Sequence, residues 1–133
     1  MLLSVASVKV MVVYWLKRSV DDFVGGPSTE IYPETLKEAV EKISELREKY
    51  DEELVGMEVI VHGASWIVYI YVNVPYAPTD KFVMGESESG ITYCVIDISG
   101  NGVISLICEI LKALDECSGN LLEFGSILEA WLD

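Results

Sequence analysis

From Val10 to Leu16 every position is apolar or aromatic, so neither face of a pleat there is polar. A strand without a polar face is covered on both sides, which predicts a central strand over residues 5–16. Its Val residues, Tyr14 and Trp15 suit that pleated geometry. Residues 17–32, with Gly25-Gly26-Pro27-Ser28, read as a 16-residue connection. That is well beyond the usual loop of about 4–6 residues and marks a flexible surface loop or a lid.

The apolar period changes at Pro33, a residue suited to the first position of a helix. Leu36, Val40, Ile43, Leu46 and Tyr50 then recur every three or four residues and predict an amphipathic helix to Tyr50. Glu38/Lys42 and Glu45/Lys49 are favourable i,i+4 pairs on its solvated side. Alternation at period two resumes over 57–62 and 65–74. A two-residue turn at Gly63-Ala64 predicts a hairpin that pairs His62 with Ser65 and Val61 with Trp66. Glu58, Ile60, His62, Ser65, Ile67, Tyr69 and Tyr71 then share one face.

Pro75 and Pro78 end the second strand. Residues 81–84 and 91–98 read as a further hairpin. Val103–Cys117 is apolar around most of its circumference and predicts the more deeply buried helix, closed at Ser118-Gly119-Asn120. A short strand is expected over Leu121–Phe124. A final helical turn or two is expected after it, opened by Ser126 and Glu129 as a capping box.

The expected architecture is one α+β domain spanning 1–133: a mostly antiparallel sheet of about five strands with two main helices packed on one face. The order is β-α-β-β-β-β-α, followed by a short C-terminal helix. At 133 residues the chain is long enough for a core without disulfides or metal. Cys94, Cys108 and Cys117 are odd in number and show no paired spacing, which predicts reduced thiols and a cytoplasmic location. No apolar run reaches the about 18 residues that a membrane-spanning helix needs. In the N-terminal stretch, Lys17-Arg18 follow the apolar segment instead of preceding it, the wrong order for a signal peptide.

Charge changes the picture more than any motif. Residues 1–50 carry seven Lys/Arg against eight Asp/Glu, whereas 51–133 carry only Lys81 and Lys112 against fourteen acids. Most of the net charge of −13 therefore lies in the second part of the chain. Such a surface repels nucleic-acid phosphates and anionic lipid and attracts basic proteins, so no direct nucleic-acid or membrane partner is expected.

Catalytic signals are sparse. His62 is the only histidine, and no spacing supports pairing it with Cys94. The cysteines and carboxylates lack metal-ligand spacing, so neither a metal nor a cofactor is expected. Asp97-Ile98-Ser99-Gly100-Asn101-Gly102 joins a strand to a helix but lacks both GxGxxG and a Walker Lys-Ser/Thr. Two groups of candidates follow. Glu58, Tyr69, Tyr71, Glu86, Glu88 and Trp131 are candidate partner contacts, because Tyr and Trp anchor interfaces and acids steer them. Lys17, Arg18, Gly100 and Gly102 are candidate contacts to a small anion, with loop 17–32 as its lid. The expected function is a non-catalytic acidic module of inhibitor, immunity or adaptor type that engages a basic protein surface. The alternatives are a binder of, or enzyme for, a small anionic ligand and a homo-oligomeric structural subunit.

Overall fold

The computed structural model describes residues 8–17, 28–74, 82–100 and 102–132. Burial along Trp66–Val72 alternates strictly between buried and half-buried, and the strands beside it keep the same parity. Strands β1 (Lys9–Leu16), β2 (Ser28–Ile31), β3 (Leu54–His62), β4 (Trp66–Val72), β5 (Phe82–Glu86) and β6 (Thr92–Ile98) thus form one six-stranded sheet. Its order is β2-β1-β3-β4-β6-β5. Every pairing is antiparallel except β4–β6. The chain leaving β4 passes over one strand position, β5 takes the edge, and β6 returns into the gap.

Helices α1 (Leu36–Tyr50), α2 (Val103–Glu116) and α3 (Leu121–Leu132) cover one face. Val12, Val59, Val68, Ile70 and Ile96 meet Ile43, Ile107, Leu111, Phe124 and Leu128 there in a single apolar core. At about 25 cal/mol per Å² of apolar surface, this core is the main stabilising term of the fold.

The α+β class, the sheet with helices on one face and the interior position of β1 agree with the sequence expectation. Several particulars differ. The sheet has six strands, because Ser28–Ile31 pairs with β1 and shortens the expected 16-residue loop. Of that loop, residues 18–27 lie outside the described residues. The first helix begins at Leu36 behind a Thr35 cap, with Pro33 upstream. Glu38 N–H donates to Thr35 Oγ1 at 3.0 Å, and Glu34 N–H donates to Glu38 Oε2 at 3.0 Å. Its ion pair is Lys42–Glu45 at 3.9 Å, spaced i,i+3 and so one residue closer than the expected i,i+4 pairs.

The β3–β4 turn is Ala64-Ser65, since Gly63 pairs with Trp66 through a 2.9 Å N–H to carbonyl bond. Moving the turn by one residue moves every partner by two, so His62 faces Ile67 and Val61 faces Val68. An even shift leaves each side chain on its expected face. The expected strand at Leu121–Phe124 is instead the first turn of α3. Asn120 caps it by accepting Glu123 N–H on Oδ1 at 3.2 Å. Ser126 forms no capping box, and its hydroxyl donates back to the Leu122 carbonyl at 3.1 Å.

Candidate functional site

Among the described residues no helix packs on the second face of the sheet, and register arranges it in rows. One row crosses Glu30, Val13, Glu58, Tyr71 and Asp97, from β2 to β6. The next crosses Met11, Ile60, Tyr69, Val95 and Val83. A third crosses Lys9, His62, Ile67, Tyr93 and Gly85. Most of these side chains are half-buried, so the face is apolar and aromatic with carboxylates along one end.

Tyr69 and Tyr71 point the same way from β4, and their rings stack with centroids 6.4 Å apart and planes 7° apart. Tyr93 lies across Gly85 on the neighbouring strand, where a Cβ would crowd its ring. Burial pushes the Tyr71 phenol up, with Glu58 and then Tyr69 adding to the shift. Burial likewise raises Asp97. A carboxylate and a phenol held partly out of water gain from an incoming cation, which favours the charged forms.

Of the sequence-derived contacts, Glu58, Tyr69 and Tyr71 come together on this face. Glu86 and Glu88 lie at the opposite end of the sheet, at and just beyond the end of β5 next to the β4 start. Trp131 belongs to α3 in the helical layer, 46% exposed. The six residues therefore do not form a single patch. The sequence showed Asp97 only as the start of the Gly-rich turn and did not single out Tyr93; the place of both on this face follows only once β6 is set beside β4.

The anion candidates share one end of the sheet but are separated by β3 and β4. Lys17 follows β1 with its N–H on the Glu53 carbonyl at 2.7 Å. Arg18 lies outside the described residues. Gly100 N–H donates to Asn73 Oδ1 at 2.8 Å, while Asn73 Nδ2 donates to the Gly100 carbonyl at 3.2 Å. That side chain thus already occupies the donor an anion would use. Gly102 sits at φ +77° ahead of α2 with no side-chain cap.

His62 is exposed on the open face, while Cys94 faces the helices, so sheet parity keeps them apart. Burial pushes the Cys94 thiol up to about 12, leaving it a packing group. Among the described residues no group of three or more His, Cys, Asp or Glu could hold a metal ion. No helix among them is long and apolar enough to cross a membrane. No family model, no curated protein and no solved structure matches the chain.

Proposed function

We propose that this chain is a non-catalytic acidic module of inhibitor, immunity or adaptor type that engages a basic protein surface in the cytoplasm. The observation that carries the reading is the open sheet face, where stacked Tyr69 and Tyr71 adjoin Glu58 and Asp97. Aromatic side chains on a rigid sheet provide contact area at little entropic cost. Carboxylates beside them suit Lys and Arg, and the net charge of −13 favours encounter with a basic surface.

The test is affinity purification from the source lysate with the wild type and with Tyr69→Ser/Tyr71→Ser. The wild type should retain a basic protein at low salt and release it near about 0.5 M salt, where surface charges are screened. The double variant should fail to retain it. Equal retention by both would overturn the role assigned to this face, and recovery of no basic protein would overturn the module reading.

A further inference from the structure

A cavity of about 490 Å³ opens at the end of the molecule where α1 begins and α2 finishes. That volume lies within the range of small-ligand sites. Leu36, Trp66 and Leu114 supply apolar wall, and Glu34 and Asp115 are the only charged side chains among the described lining residues. Both are exposed at the rim.

The helix ends add to this charge. The carboxyl end of α2 presents the negative pole of its dipole. At α1 the positive pole is already served by Thr35 and by the Glu38 carboxylate, which hold the N–H groups of Glu38 and Glu34. An anion therefore meets two carboxylates and an N-terminus whose N–H groups are already taken, whereas a cation meets those carboxylates and the negative pole of α2.

Trp66 is the independent feature. Its side chain is more than nine-tenths buried, yet Nε1–H has no hydrogen-bond partner among the described residues. Among the described residues no fully enclosed side-chain nitrogen or oxygen is left unbonded, so this N–H is accessible. Trp66 walls two neighbouring cavities, and its Nε1 edge lies against Gly63 and Gly119, which both line this one. The indole is held there by two glycines. A Cβ at Gly63 would overlap the ring, and one at Gly119 would come within 3.1 Å of Nε1. The result is a fixed donor set in an apolar wall beside carboxylates.

We infer that this cavity binds a small organic cation with an apolar stem and a hydrogen-bond acceptor. The ammonium or guanidinium group lies toward Glu34 and Asp115, and the acceptor takes the Trp66 N–H. The inference stands apart from the open sheet face and survives if that face binds nothing.

The indole N–H resonances of the full chain report on it directly in ¹⁵N–¹H correlation spectra. Trp66→Phe assigns the signal, and Trp15→Phe with Trp131→Phe assigns it by elimination if Trp66→Phe fails to fold. The probe is Nα-acetyl-lysine methylamide at about 20 mM ionic strength, where charge attraction is little screened. The Trp66 signal should move saturably with a Kd below about 5 mM, reasonable for so small a ligand. The Trp15 and Trp131 signals should stay in place. Nα-acetyl-norleucine methylamide, which lacks the cation, should bind at least tenfold more weakly. Glu34→Gln/Asp115→Asn should cost the lysine probe a similar factor. No movement of the Trp66 signal, equal movement with the norleucine compound, or an unchanged Kd in the double variant would each overturn the inference.

Discussion

A β-carbon at Gly63 would overlap the indole of Trp66, its cross-strand neighbour. The residue is thus glycine for want of space and not for a turn conformation, which is why the turn itself lies at Ala64-Ser65. Gly63→Ala should cost about 2 kcal/mol, the scale of overpacking in a closed site. Urea unfolding should show most of that cost vanishing in a Trp66→Leu background, and an equal cost in both backgrounds would rule out the overlap. Asp97 makes a residue-scale case from charge. Burial raises its folded-state pKa above the unfolded value. The folded state therefore holds the proton more tightly, and ionisation opposes folding above that pKa. Asp97→Asn should raise the unfolding midpoint at pH 7. The gain should shrink as pH falls through the raised pKa and disappear below the unfolded value of about 4. A gain that persists at pH 3 would assign the effect to something other than charge.

Elements were legible wherever periodicity was long and one-sided, and less so where a single cap decides. The α1 stripe of Leu36, Val40 and Ile43 and the alternation of β4 are each carried by several residues, so class and faces follow. Leu121–Phe124 is an apolar run too short for period to distinguish strand from helix. Asn120 decides it by accepting the Glu123 N–H and starting α3 within a few residues of the end of α2. Asn120→Ala should cost about 1 kcal/mol, Asn120→Asp should retain most of the stability, and the Glu123 amide should exchange faster only in the former. The place of β6 was hidden for a different reason. Its partner β4 is parallel and lies two strands back in the chain, a pairing that no local period reports. Asn73 helps hold that junction through its two bonds to Gly100. The open face was therefore half visible: Glu58, Tyr69 and Tyr71 follow from the β3–β4 hairpin alone, whereas Asp97 and Tyr93 need the long-range pairing.

At the scale of the molecule the acidity is mostly uncompensated. The ion pairs formed among the described residues, Lys42–Glu45 at 3.9 Å and Lys112–Glu109 at 3.6 Å, are exposed and contribute little. A net charge of −13 then opposes folding through self-repulsion. Salt should raise the urea midpoint of the wild type, and Glu86→Lys/Glu88→Lys should raise it at low salt by removing part of that repulsion. The same pair of substitutions separates acidity that steers a partner from acidity that only keeps the chain in solution. Glu86 and Glu88 lie at the far end of the sheet from Tyr71, so they belong to the field and not to the aromatic contact. Rim charges act mainly on encounter. With the basic protein recovered by the open face, the lysine pair should slow association several-fold at low salt. It should change dissociation by less than about twofold, and both effects should fade as salt screens the field. A variant that gains stability yet associates as fast as the wild type would leave solubility as the role of these acids. One that gains stability and loses association rate would show that the chain gives up folding free energy for the field that guides its partner.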